Sequence, residues 1–283
     1  MKDIAIFGAG GFGKEIACLL DRINKENPTW NFIGFFDDNT ELKDKMISHY
    51  GKCFGGINEL NSYDKDICLA IAVGNPNIVK NIVEKINAQN PDIVLYGGDF
   101  VSGHIQGLSM SIDKIAAELG KVKSKYGIFS CIGNHDLWFD LDAVTNALEK
   151  NNIKVLYNQN TKIKINKKEI FIAGLQYKPF NMIPMIETLK DTKSPTILLT
   201  HSPDEFVDVP QSVNLTLAGH THGGQIRLPF FGAILTASEY GQKYALGLIE
   251  ENNKKMIVSK GIGVSILAFR FMCRPEIVVV EFI

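Results

Sequence analysis

Gly133-Asn134-His135-Asp136, taken with Gly98-Asp99 before it and His201 and Gly219-His220-Thr221-His222 after it, decides how most of this chain folds. Each piece follows directly on an apolar run that reads as a buried strand: Asp92–Tyr96, Gly127–Ile132, Thr196–Thr200 and Asn214–Ala218. In layered α/β proteins the carboxyl ends of neighbouring strands open onto one crevice, so residues far apart in sequence can meet there. Four strand ends then deliver an Asp, an Asn, a His and a His-x-His to one place. Carboxylate and amide oxygens with imidazole nitrogens suit a hard or borderline divalent cation such as Mn, Fe, Ni or Zn, with no thiolate required.

The ordered series Gly-Asp, Gly-Asn-His-Asp, His and Gly-His-Thr-His resembles the calcineurin-like metallophosphoesterases. The run Gly219-His-Thr-His-Gly-Gly-Gln-Ile-Arg-Leu-Pro229 is similar to the branch that acts on lipid-linked phosphodiesters and pyrophosphates. The resemblance covers residues 87–283 and implies a sandwich of two mixed sheets flanked by helices, hydrolysing a phosphate ester. It implies roles as well: Asp99 bridging two metals, Asn134, His201 and His220 completing one site, and His222 serving the other. His135 would stabilise the scissile phosphate or protonate the leaving oxygen. That family normally opens with Asp-x-His after its first strand, and no Asp-x-His occurs in this chain. One tightly held metal and a weak second one are therefore expected. The acid that many relatives place three residues after the bridging Asp is Ser102 here. His104 reads as a solvated loop histidine, and Arg227 and Arg270 are candidate partners for a phosphate. The apolar stretches Leu228–Gly232 and Ile262–Phe269 suggest a lipid-linked substrate or peripheral contact with a membrane, or else buried core.

The amino-terminal stretch has a different grammar. Ile4–Phe7 reads as a short strand running into Gly8, Gly10, Gly11 and Gly13, followed by helical spacing of Ile16, Leu19, Leu20 and Ile23. Strand, glycine turn and helix make a Rossmann-like start, whose glycines let a diphosphate approach the backbone and the helix N-terminus. A second strand, Trp30–Phe36, ends at Asp37 and Asp38, later than the roughly 20-residue spacing of a ribose-binding acid. The segment resembles the N-terminal domain of sugar O-acyltransferases of the sialic-acid and bacillosamine type, in which the glycine turn and acidic pair face a nucleotide-sugar. That match covers residues 3–86, and the hexapeptide-repeat catalytic part of such enzymes is missing from this chain.

Two domains are expected, a nucleotide-sugar-binding-type segment at 1–86 and a phosphoesterase at 87–283 lacking its usual first strand. The seam falls in a helix near 78–87 that either family could own. The strand at 67–73 then stands in for the missing first strand, bringing Asn75 and Asn77 to the rim of the metal site. Further expectations are helices over 112–125, 141–151 and 182–189, a hairpin of 162–166 with 169–173 around Lys167-Lys168, and closing strands at 255–259 and 276–282. With 30 basic and 31 acidic residues the chain has no charge excess to draw it to nucleic acid. Five cysteines without a C-x-x-C pair read as reduced, buried residues, and no signal peptide or membrane span is evident, so a cytoplasmic protein is expected. Two other readings remain open, a fusion that binds a nucleotide-sugar or metal without turnover, and an NAD-dependent oxidoreductase.

Overall fold

The structure is a computed structural model that describes residues 1–63, 67–71, 76–101, 111–165, 167–178, 182–193, 195–228, 230–265 and 270–282. Side chains at 11, 12, 15, 19, 70, 71 and 76–78 lie outside the description. The chain forms two units, Met1–Gly74 with Ile266–Phe271, and Asn75–Ser265 with Met272–Ile283.

In the first unit the elements are β1 (Lys2–Phe7), α1 (Gly11–Glu26), β2 (Trp30–Phe36), β3 (Met46–Ile47), β4 (Gly51–Lys52), α2 (Ile57–Asn61) and β5 (Cys68–Ile71). β1 lies between β2 and β5, parallel to both. Parallel neighbours cannot be joined by a hairpin, and α1 is the crossover from β1 to β2. Its Ile16, Ala17 and Leu20 fall on one face at helical spacing and pack with Ile4, Ile6 and Phe35.

The second unit runs α3 (Pro76–Ala88), β6 (Val94–Tyr96), α4 (Ile112–Leu119), β7 (Ile128–Ser130), α5 (Asn134–Phe139), α6 (Leu141–Lys150), β8 (Ile153–Val155), β9 (Gln159–Ile165), β10 (Lys168–Gly174), α7 (Ile183–Thr188), β11 (Thr196–Leu199) and β12 (Leu215–Ala218). It ends with β13 (Arg227–Leu228), β14 (Gly232–Ala233), β15 (Gly247–Glu251) and β16 (Lys254–Val258). A parallel sheet β6-β7-β8 and a mixed sheet β15-β16-β12-β11-β10-β9 result. The period of two along each strand sorts side chains into layers. Leu95, Phe129, Ile172, Ile197 and Leu199 meet between the sheets. Val94, Ile128, Ile153 and Val155 face the other way, onto α3, α4 and α6 through Val83, Ile86, Ala116, Leu119, Val144 and Leu148. Leu198, Ala218, Met256 and Val258 form the outer face of the mixed sheet, covered by Met185, Phe206 and Tyr244. The layers are helix, sheet, sheet, helix.

By contacts the chain divides at residue 74, and Val83 and Ile86 of α3 pack in the second unit's core. β5 pairs with β1 in the first unit's sheet, while β6 has β7 beside it in the second. Of the strand expected at 67–73, the described part, β5, extends the first unit's sheet. Asn75 and the side chain of Asn77 lie outside the described residues, as do Ser102 and His104.

No strand forms at 276–282, and Val279 and Phe282 are exposed. β-branched residues supply propensity, but a strand also needs a partner edge. The edge of the mixed sheet is taken instead by β15, which the sequence reading overlooked. It pairs with β16 across Asn252-Asn253, both at positive φ, the geometry of a two-residue hairpin turn. Ile165 pairs with Lys168, so Lys168 belongs to β10 and not to the turn expected at Lys167-Lys168. Among the described residues no helix is long and apolar enough to cross a membrane.

Candidate metal centre

Asp99 follows β6 through Gly97 and Gly98, Asn134 and His135 open α5 after β7, His201 follows β11, and His220 follows β12. Two strand ends of each sheet thus contribute. Asp99 Oδ2 lies 3.1 Å from His201 Nε2, and His201 Nε2 lies 3.1 Å from His220 Nδ1. One ligand atom from each of the three residues lies within 4.8 Å of the other two. His201 Nδ1 is 2.6 Å from the Gly97 carbonyl oxygen, which can only accept. A proton therefore sits on Nδ1, and in the neutral ring the Nε2 lone pair faces the cluster, the second-sphere arrangement that fixes metal-binding histidines; in the charged ring Nε2–H donates to Asp99.

The electrostatics suit a cation. Burial opposes charge on Asp99, yet the hydrogen bond with His201 outweighs it and holds the carboxyl below its ordinary range. Burial likewise opposes a charged His201, but the Asp99 contact keeps it above the usual imidazole value. Burial, then the neighbouring His201, pushes His220 down to about 3, so it presents a neutral ring. Tyr177 packs edge-on against both imidazoles, at 5.8 and 5.3 Å. Asn134 is buried, and its Oδ1 has no hydrogen-bond partner within the protein. Such an orphan normally costs about 1–3 kcal/mol, and a cation would satisfy it. The donor set and the orphaned oxygen both fit a divalent ion.

The backbone is bent to serve this cluster. Asp99, His220 and His222 have φ of 58°, 66° and 51°, left-handed values that cost a non-glycine residue about 1–3 kcal/mol and gather at functional sites. Close approach also requires glycine at 133, where a Cβ would come within 2.0 Å of Asp99 Oδ1. His135 N donates to that same oxygen at 3.0 Å.

Asp136, which the sequence reading left without a role, knits these loops together. It is fully buried, and its carboxylate accepts from Gly133 N at 3.0 Å, Asp99 N at 2.8 Å and Phe100 N at 2.7 Å. Burial raises its pKa to about 6 against the pull of those donors. Its place three residues after Gly133, the N3 position from which a carboxylate reaches back to the N-cap N–H, was a readable signal.

His222 and His135 stand outside the three-residue cluster. His222 influences His220 electrostatically, and its carbonyl accepts from Cys273 Sγ at 3.2 Å. His135 packs on Trp138 at 5.0 Å. Arg227 Nη1 donates to Gly223 O at 3.0 Å, bracing the His-Thr-His loop.

The amino-terminal candidates lie in the first unit. Asp37 Oδ2 accepts from Ala9 N at 2.7 Å, so one backbone donor of the glycine turn is already occupied by the acid. Asp38 Oδ1 accepts from Ile57 N at 2.9 Å. Both acids border a cavity of about 220 Å³ with Lys43, Gly56 and Glu59. Gly8 has φ 110°, and a Cβ on Gly13 would strike the Gly8 carbonyl at 1.9 Å, whereas one on Gly10 would meet open space. Gly11 begins α1.

Comparison with known proteins finds two families on the chain, with overlapping matches. The calcineurin-like phosphoesterase family matches residues 49–224, and the PglD N-terminal domain matches residues 3–86. The chain is 33% identical over 214 residues to an uncharacterized metallophosphoesterase of Bacillus subtilis, YkuE, covering 71% of each chain. It is 29% identical over 205 residues to the phosphodiesterase YaeI of Escherichia coli, covering 69% of this chain and 72% of that one. An uncharacterized metallophosphoesterase of Campylobacter jejuni, Cj0846, is 32% identical over 72% of this chain and 54% of its own. The chain belongs to the calcineurin-like phosphoesterases, metal-dependent hydrolases of phosphate esters, and its residues 3–86 match the PglD N-terminal domain.

Proposed function

We propose that Asp99, His201 and His220, with Asn134 as fourth donor, hold one divalent cation (Mn, Zn, Fe or Ni), and that the chain uses it to hydrolyse a phosphodiester. The observation that carries this reading is the convergence of one donor atom each from Asp99, His201 and His220 within 4.8 Å. A bound cation supplies Lewis acidity and lowers the pKa of water. Around it, Asp99 provides negative charge, His201 a lone pair oriented by Gly97 O, and Asn134 a neutral oxygen. His135, held beside Asp99 by its backbone N–H, donates a proton to the leaving oxygen. His222 belongs to a second, weaker metal position.

The test is metal content after dialysis, read beside hydrolysis of bis(p-nitrophenyl) phosphate in excess Mn. About one equivalent retained and Mn-dependent turnover are expected. Metal without turnover would favour a fusion that binds and does not hydrolyse.

A lipid-linked phosphate ester is the favoured substrate. Its support is the β13–β14 hairpin, which continues from the His220–His222 loop and leaves Phe230 fully and Phe231 largely exposed. Contact with a membrane from the cytoplasmic side follows from that reading. Vesicle flotation tests it: loss of binding in Phe230→Ser/Phe231→Ser supports it, and no binding by the intact protein counts against it.

We assign residues 1–86 to nucleotide-sugar binding, at Gly8, Gly10, Gly11, Gly13, Asp37 and Asp38, with the phosphoesterase domain at 87–283. Calorimetry with a UDP-sugar and with NAD tests this, and heat from NAD alone would favour an oxidoreductase-type site.

A further inference from the structure

His135 is reached by contacts from a distant part of the chain. Gln225, in the loop after His222 and at φ 52°, grips a single residue by both its backbone groups: Gln225 Nε2 donates to Ser265 O at 3.1 Å, and Gln225 Oε1 accepts from Ser265 N at 2.8 Å. A primary amide offers a donor and an acceptor side by side in one plane, which an ionised carboxylate does not. The pairing fixes Ser265 in place and in orientation, as a ladder pair would in a sheet. The Ser265 hydroxyl is thereby set 3.5 Å from His135 Nε2. That is long for a bond between hydroxyl and ring nitrogen, and catalytic hydrogen bonds commonly lengthen without ligand and tighten in the complex.

We infer that Ser265, clamped by Gln225, is a positioning residue for His135, orienting its imidazole toward the scissile ester. The inference rests on the role proposed for His135 above. It links two observations that otherwise stand apart, a glutamine paired with both backbone groups of one residue and a serine hydroxyl near the ring. The hydroxyl orients the ring without adding charge. The same clamp ties the loop that carries His220 and His222 to the segment facing His135, so cluster and imidazole are registered through one amide.

The experiment uses the full chain with bound metal, measured first for metal content so that only variants retaining it are compared. Ser265→Ala is expected to lower kcat on a chromogenic phosphodiester roughly tenfold with KM unchanged, less than the ~10²–10⁴ expected for His135→Ala. Ser265→Thr, which keeps the hydroxyl, should recover most of that loss. Ser265→Ala added to His135→Ala should cost nothing further. A full loss in that second background, or a KM rise at constant kcat, overturns the assignment. A readout independent of turnover is the ring nitrogen resonance of His135 in protein labelled at histidine, identified by its disappearance in His135→Ala. It should shift in Ser265→Ala and Gln225→Ala and return in Ser265→Thr, and unchanged resonances in both would refute the clamp. Wild-type protein without hydrolysis would count against the proposed function, while the His135 resonance still decides this inference.

Discussion

At the scale of single residues, the cluster predicts a division between residues that hold metal and residues that hold shape. His220 is part-buried and presents a neutral ring beside His201 and Asp99. His220→Ala should lower metal affinity by more than the ~10–100-fold typical of an outer-sphere partner, read by competition with a chromogenic chelator. Unaltered affinity would show that the donor set is misassigned. Asp136 makes the opposite case. Its two oxygens accept from the backbone N–H groups of Gly133, Asp99 and Phe100. Asp136→Asn turns an amide NH2 toward donors and leaves at least one buried N–H unpaired, costing about 1–3 kcal/mol. A lower urea midpoint at unchanged slope should report it, and a midpoint equal to wild type would mean that the loops do not depend on this carboxylate.

At the scale of elements, two sites separate packing from ligand binding. Gly13 lies in the first turn of α1, where a methyl group would collide with the Gly8 carbonyl, while the same group on Gly10 meets open space. Gly13→Ala should therefore destabilise the first unit by about 1–3 kcal/mol through overpacking. Gly10→Val should leave its stability nearly unchanged and weaken any nucleotide-sugar, by filling the space a diphosphate would enter. Equal stability losses in both variants would mean that the turn serves packing alone. In the second unit, Lys254 of β16 is buried and its ammonium donates to Phe206 O at 2.7 Å and Val207 O at 2.9 Å. Those carbonyls close the short helical turn Pro203–Val207 just after His201. Lys254→Met keeps the apolar stem and deletes both bonds, with an expected loss of about 1.5–3 kcal/mol for hydrogen bonds from a charged donor. Thermal unfolding measures it.

At the scale of the whole molecule, the two units have separate cores and separate candidate sites. A ligand stabilises only the unit that binds it, by about 2.7 kcal/mol at a free concentration of 100 Kd. Calorimetric scans with added Mn should raise the melting of the phosphoesterase unit and leave that of the Rossmann-like unit in place, whereas a nucleotide-sugar should do the reverse. Equal shifts of both transitions with Mn would show that the units unfold as one. Much of this plan was legible beforehand. The apolar runs before Asp99, Asn134, His201 and His220 did become β6, β7, β11 and β12. The strand expected at 276–282 did not form, because local propensity carries no information about which edge is available.

What the sequence determined by itself was chemical grammar: which residue types end which strands, and a family resemblance that the comparisons support. Those are local properties, written in a period of two along a strand and in fixed spacings within a turn. Only the tertiary structure decided which of the candidates meet. Asp99, His201 and His220 converge because β6 belongs to one sheet, and β11 and β12 to another, within a single sandwich. The left-handed backbone at Asp99 and His220, the carboxylate of Asp136 beneath two loops, and the amide of Gln225 reaching Ser265 depend on approach between segments far apart in sequence. Spacing along the chain does not encode that approach. It comes from packing, which brings distant backbone groups within hydrogen-bonding range and makes their partners obligatory once water is excluded.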